Sequence, residues 1–233
     1  MQLILIHDDR TGRLQAAHGW LRHCFGPPGP YRLLDPVSQL VMGLIGGRTR
    51  GAVSAAAFMR LRQRFACWES LRDAPVAEIL PLIAGVSFAE VKAPRLPAAL
   101  RMVTARRGAL TLDFLAGWPD GAALDWLERL PGVGRKTAAT VLNFSTLRKP
   151  VLVIDTHHLR VIRRLGLVGP RAGIAEAHDC LTPLLPSGWG AAEIDDHHQL
   201  VKTLGQRFCR PSRPACPACP LRALCLQGVP RRR

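Results

Sequence analysis

The stretch Glu128–Ala138, reading Glu-Arg-Leu-Pro-Gly-Val-Gly-Arg-Lys-Thr-Ala, constrains the fold of this chain more than any other. An amphipathic run ends at Leu130, and helical spacing resumes from Thr137 to Phe144. Between them Pro131 closes one helix, while Gly132 and Gly134 permit a tight turn into the next. The spacing therefore predicts two helices joined by a hairpin. The second helix starts on small residues with backbone N–H groups directed outward. Such an end favours an anion, because uncapped N–H groups and the positive end of the helix dipole act together. Lys136 falls in the first turn of that helix, beside whatever the hairpin holds. The plain alternative is an ordinary helical turn with a solvated Arg135–Lys136 pair.

The charge balance bears on that choice. Of 233 residues, 32 are Lys or Arg and 17 Asp or Glu, a formal net charge of +15. The excess is spread along the chain rather than held in a tail, which is the electrostatic footprint of a nucleic-acid binder. No basic amphipathic helix stands out to favour a membrane surface. Met1–Ile6 is too short for a signal peptide, and no apolar run reaches bilayer length, so a cytoplasmic, nucleoid-associated protein is expected. At 48% apolar residues the chain can bury a core.

Read in order, residues 12–24 form a short amphipathic helix followed by the breaker Gly26–Pro30. Asp35-Pro36 is a helix start, a capping carboxylate with Pro in the first turn, and Gly46-Gly47 ends that helix before Arg48. Further helices are predicted over 52–65, from Asp73-Ala74-Pro75 to about Ala84, and from Val91 with a break near Pro94 and resumption over 97–106. Gly85–Phe88 reads as a turn exposing apolar residues. Helices at 122–130, 156–165, 172–184 and 190–208 complete the set. The extended run Pro150–Ile154 cannot build a sheet alone, so the class is all-α.

Four of the seven cysteines crowd into Cys209-x6-Cys216-x2-Cys219-x5-Cys225. Four prolines keep the intervening loops non-helical, letting the thiolates converge. Four soft ligands suit tetrahedral zinc or an iron–sulfur cluster. The single Cys-x2-Cys knuckle favours the cluster. Arg207, Arg210, Arg213 and Arg222 would make the loop a phosphate-facing surface.

The hairpin, the Val153-Ile-Asp-Thr-His157 segment and the cysteine spacing together resemble endonuclease III, within the helix-hairpin-helix superfamily of DNA glycosylases. The resemblance runs from about Asp35 to Cys225. It implies two helical domains flanking a DNA-binding cleft: a six-helix barrel over 36–148 carrying the hairpin, and a 4Fe–4S cluster domain made of 1–35 and 149–233. It implies base excision repair by a bifunctional glycosylase and AP lyase, acting as a monomer on double-stranded DNA with damaged bases or abasic sites. Lys136 matches the family's catalytic lysine, Asp155 its catalytic aspartate, and Cys209, Cys216, Cys219 and Cys225 its 4Fe–4S ligands. An amine can attack C1′ of the sugar and open the way to β-elimination, which an always-protonated guanidinium cannot do. Arg135 would help Lys136 lose its proton. Asp155 is equally well placed to cap the helix that follows it.

The DNA-contacting set implied is Leu130, Gly132, Val133, Gly134 and Arg135 in the hairpin, with His157 as an orienting or packing residue and Arg210 and Arg213 near the cysteines. Arg48 stands where the family commonly has glutamine. Val86 and Phe88 are candidates to fill the gap left by a flipped base, after what reads as a two-residue insertion. Two alternatives stand beside the bifunctional reading: a monofunctional glycosylase of the same superfamily, and a relative that binds damage without processing it.

Overall fold

The computed structural model describes residues 10–29 and 33–227; Met1–Ile6, Pro30 and the C-terminal arginines lie outside them. Every regular element among the described residues is helical, and an isolated parallel bridge between Leu34 and Ser145 is their one β feature. No described helix is long and apolar enough to cross a membrane. The described residues cluster into two compact units, one within Arg32–Lys149 and the other drawn from Met1–Tyr31 and Pro150–Arg233.

The Arg32–Lys149 unit is organised on its first helix, α2 (Pro36–Gly46), which follows α1 (Arg10–Phe25) of the other unit. Asp35 caps α2 by accepting the Ser38 N–H at 2.8 Å, Pro36 sits at its start and Gly47 ends it. A cap of this kind is worth about 1 kcal/mol. Leu40, Val41 and Ile45 are fully enclosed, each stabilising by roughly 1.5–3 kcal/mol. Around α2 pack α3 (Gly51–Arg64), α6 (Ala89–Arg107) and α8 (Arg135–Asn143). Gly43 lets α2 and α8 cross closely, since a Cβ there would stand 2.8 Å from Thr137 Cγ2. The remaining helices are α4 (Trp68–Asp73), α5 (Val76–Leu82) and α7 (Asp120–Glu128).

Two local expectations are corrected here. Asp73 does not cap α5: its carboxylate pairs with Arg72 at 2.7 Å, and Pro75 takes the cap position without a side-chain bond. Nor does the chain break at Pro94, because α6 runs unbroken through Pro94 and Pro97. Each proline removes a helical bond at about 3 kcal/mol. The stripe Ala93, Leu96, Ala99, Leu100 and Val103 is buried and offsets that cost.

In the second unit α1 packs on α11 (Ala191–Arg207), and α11 packs on α9 (Thr156–Leu165), with α10 (Ile174–Leu181) beside α9. Leu14, Ala17 and Leu21 of α1 join Leu152, Ile154, Ile162, Leu200 and Leu204 in one core. The predicted extended run Val151–Ile154 is buried at all four positions. It forms no sheet, and delivers Asp155 to the start of α9.

Candidate active site and nucleic-acid interface

The hairpin is built from the end of α7, the turn Leu130–Val133 and the start of α8. The Val133 N–H closes the turn on Leu130 O at 3.1 Å. Gly132 holds φ at +81°, a conformation an L side chain rarely adopts, and a Cβ there would lie 2.8 Å from Arg95 Cδ and 3.2 Å from Leu44 Cδ2. Gly134, at φ −111°, caps α8 without a side-chain bond, and a Cβ there would meet nothing within 4 Å. The two glycines therefore have different tasks. Gly132 is demanded by the turn and its neighbours, whereas Gly134 leaves clear the approach to a helix start.

Leu130 and Val133 are 2% and 7% exposed, so their side chains belong to the core, and only the backbone between them can meet a partner. Arg135 is also engaged inside the hairpin. Its Nε donates to Glu128 Oε1 at 2.8 Å, and Nη2 lies 3.9 Å from Asp125 Oδ1. It fastens α8 to α7, and two carboxylates offset the charge expected to act on Lys136.

A different cation stands near Lys136. Lys92 of α6 donates from Nζ to Ile45 O at 2.9 Å, Gly47 O at 2.5 Å and Thr49 Oγ1 at 3.3 Å. Burial and then the charge of Lys136 push the Lys92 ammonium below its ordinary value. Sequence reading missed Lys92, and its three oxygen partners come from a loop about forty-five residues away. The same clamp fixes the Arg48 loop, and Thr49 Oγ1 also accepts the Ser87 N–H at 3.2 Å. Two loops are thus tied into one tip. On it Arg48 and Phe88, both with left-handed backbones at φ 56° and 60°, lie side by side with the guanidinium carbon 6.0 Å from the ring centre. Of the two expected wedge candidates, Phe88 is 57% exposed and Val86 only 3%. Behind the tip lies a cavity of about 330 Å³ lined by Gly43, Arg48, Phe88, Lys92, Gly132 and Thr137 among others.

Asp155 caps α9, its Oδ1 accepting the His158 N–H at 2.8 Å. Burial pushes its carboxyl up, but His198, that N–H bond, His158 and His157 together hold it below the usual carboxylate value. His157 is engaged in packing: its Nδ1 lies 3.1 Å from Arg160 Nη2, and a Cβ on Gly205 would stand 2.9 Å from His157 Cβ. These contacts agree with an orienting or packing role for a side chain that stays partly exposed.

Cys209, Cys216, Cys219 and Cys225 all line one cavity of about 180 Å³, with Arg164, Phe208, Pro214 and Gln227. Burial raises the Cys219 thiol, the Leu221 N–H opposes it, and the other three sulfurs lie near enough to add to the rise. Arg164 Nη1 donates to Cys209 Sγ at 3.2 Å, and Arg160 Nε to Cys209 O at 2.6 Å. Among the described residues no three Cys, His, Asp or Glu side chains gather tightly enough for a single metal ion. Arg210 and Arg213 are exposed on the same loop, Arg213 at φ 51°.

A helical fold with a glycine hairpin, a lysine in the first turn after it and a capping aspartate on a later helix defines the helix-hairpin-helix class of base-excision proteins. The chain belongs to the HhH-GPD superfamily of base excision DNA repair proteins, whose model matches residues 41–181. Endonuclease III of Thermotoga maritima is 31% identical over 199 residues, covering 85% of this chain and 86% of that protein. In fold the chain is similar to a trapped endonuclease III–DNA covalent intermediate, with a TM-score of 0.77 at 23% identity over 94% of this chain and 96% of that one. It is also similar to a thermostable thymine-DNA glycosylase, with a TM-score of 0.71 at 19% identity over 95% and 97%.

Proposed function

We propose that this protein is a bifunctional DNA glycosylase and AP lyase that removes oxidised pyrimidines from double-stranded DNA and cuts the strand by β-elimination. The observation that carries the proposal is Lys136, half-buried in the first turn of α8 behind a hairpin with one glycine required by the turn and the other open to a partner. The backbone of that hairpin takes a phosphate, so the amine beside it meets the adjacent sugar. Unprotonated Lys136 attacks C1′, the base departs, and the resulting Schiff base makes a C2′ proton labile enough for loss of the 3′ phosphate. Lys92, clamped and cationic, disfavours a second charge on Lys136. Asp155 serves as the carboxylate that offsets positive charge on the sugar and exchanges a proton with the reacting groups. Phe88 and Arg48 enter the space left when the base leaves the stack.

The cysteine cavity supports a resident 4Fe–4S cluster. Four thiols round one cavity of this volume suit a polynuclear group better than a single ion, and Arg164 is already directed at one sulfur. Cys209, Cys216, Cys219 and Cys225 would hold it, and when bound it would cross-link a loop otherwise short of regular structure. Purified protein should then contain iron rather than zinc.

Borohydride trapping tests the reaction. A covalent adduct with duplex DNA containing an abasic site or thymine glycol, lost in Lys136→Ala, is the expected result. Excision without any adduct would assign the monofunctional reaction instead.

A further inference from the structure

A neutral imidazole carries one donor and one acceptor, and burying either without a partner costs about 1–3 kcal/mol. In His158 and His197 both ring nitrogens are buried with no hydrogen-bond partner among the described residues, and so is Nδ1 of His18. Such orphaned groups call for an explanation beyond packing. The rings concerned are contiguous. Ring centres are 5.5 Å apart from His18 to His197, 5.3 Å from His197 to His158 and 5.8 Å from His158 to His198. At these separations a turn about χ2 brings nitrogens of neighbouring rings toward each other.

The row has two distinct ends. At the inner end His198 Nδ1 lies 2.8 Å from Val153 O, and the backbone N–H of His158 is bonded to Asp155 Oδ1. At the outer end His18 is half-exposed on α1. Trp189 covers the flank, its ring 4.5 Å from His18 and 5.2 Å from His197. The row thus starts beside the proposed catalytic carboxylate and ends at solvent on another helix.

We infer that His158, His197 and His18 form a proton path between Asp155 and the solvent at α1, with His198 held at its inner end on Val153 O. The inference rests on the reading that Asp155 exchanges a proton during the reaction. A proton on the Asp155 carboxyl passes to one ring nitrogen of His158. That ring releases the proton on its other nitrogen to the next ring, and His18 delivers one proton to water. Asp155 returns to carboxylate, and each ring is left in its opposite tautomer until it turns over or a proton passes the other way. No electron moves. The advantage is that Asp155 keeps a route to solvent when bound DNA covers the face where the reaction occurs.

The acidities suit such a path. Asp155 is held below its usual value, and burial, then His198, push His158 down to about 3, so both are shifted in the same direction. Burial lowers His197 as well, and His18 less, so neither of these rings retains the proton as a stable imidazolium. The charged groups around the row are Arg22 on α1, His157 and Arg160 on α9, and Glu193, Asp195 and Asp196 on α11. On α10, His178 Nδ1 lies 3.6 Å from Asp179. Asp196, raised above its ordinary value chiefly by burial and acted on by His18, is a suitable acceptor at the exit.

The test uses the whole protein with His158→Phe and His197→Phe, which keep a flat ring and remove the nitrogens. Single-turnover excision is measured in mixtures of light and heavy water, with thermal unfolding and duplex affinity as controls. Native protein should show a curved proton inventory, meaning several protons in flight. Each folded variant should excise about tenfold more slowly with a linear inventory and unchanged affinity. Folded variants with the native rate and curvature, or slowed ones with the native curvature, overturn the path. A native protein that excises nothing would defeat the functional reading separately, and ¹⁵N spectra of the histidine rings then decide. Averaged tautomer signals for His158 and His197 that become fixed in Asp155→Asn support the path, and signals already fixed in native protein overturn it.

Discussion

Replacing the two hairpin glycines one at a time should separate the energy of folding from the energy of binding. In Gly132→Ala the new Cβ must occupy φ +81°, at about 1–2 kcal/mol for an L residue. It also meets Arg95 Cδ at 2.8 Å and Leu44 Cδ2 at 3.2 Å. Arg95 is exposed and can swing aside cheaply, but Leu44 is buried in α2 and must shift against its neighbours, adding roughly 1 kcal/mol. The total of about 2–3 kcal/mol corresponds to a fall in Tm of about 5–10 °C for a chain of this size. In Gly134→Ala the backbone at φ −111° suits alanine and the Cβ touches nothing within 4 Å. Alanine caps a helix less well than glycine, but it also reduces the entropy of the unfolded chain, so stability should move by no more than about 0.5 kcal/mol. The methyl nevertheless stands where a phosphate must approach the start of α8, so duplex affinity should fall about tenfold. Thermal unfolding and fluorescence anisotropy with a duplex carrying an abasic-site analogue read both quantities. Full affinity in Gly134→Ala, or native stability in Gly132→Ala, would refute this division of tasks.

Acid should begin to destabilise the second unit as the pH falls below about 6.5. The His158 imidazole has an unfolded value of about 6.5 and a folded one of about 3, so its contribution is complete above about pH 6.5 and is lost as the pH falls toward 3. That is about 2 kcal/mol by pH 5, with His197 acting in the same direction, and His158→Phe should remove a comparable share of the pH dependence in urea unfolding. Equal stabilities at pH 7.5 and 5 would contradict the burial of these rings. Phe88→Ala should leave stability within about 0.5 kcal/mol, because the ring is 57% exposed, yet slow excision from duplex while sparing the cleavage of a pre-formed abasic site. Equal losses on both substrates would remove Phe88 from base displacement.

Much of the fold was legible because its signals are local. The Asp35-Pro36 start, the Gly46-Gly47 stop and the glycine hairpin each act within one or two turns of helix, where backbone geometry alone decides. The short helix α4 at Trp68–Asp73 and the continuity of α6 through its prolines were not legible. There the competition lies between a local penalty and burial against residues distant in the chain. The site divides in the same way. Spacing grouped the four cysteines, and they line one cavity, whereas the roles of Lys136 and Asp155 came with the resemblance. The burial of Leu130, Val133 and Val86 was not legible, because an apolar residue in a turn reads the same whether it faces in or out.

Sequence by itself determined the helical class, the hairpin and the residue types available for chemistry, all of which follow from short-range rules of backbone and charge. Only the tertiary structure decided that Lys92, Thr49 and Ser87 tie two loops into one tip, and that four histidines from α1, α9 and α11 lie ring against ring. The reason is physical. Which distant side chains meet is set by how whole helices pack to exclude water, and no short stretch of sequence carries that information.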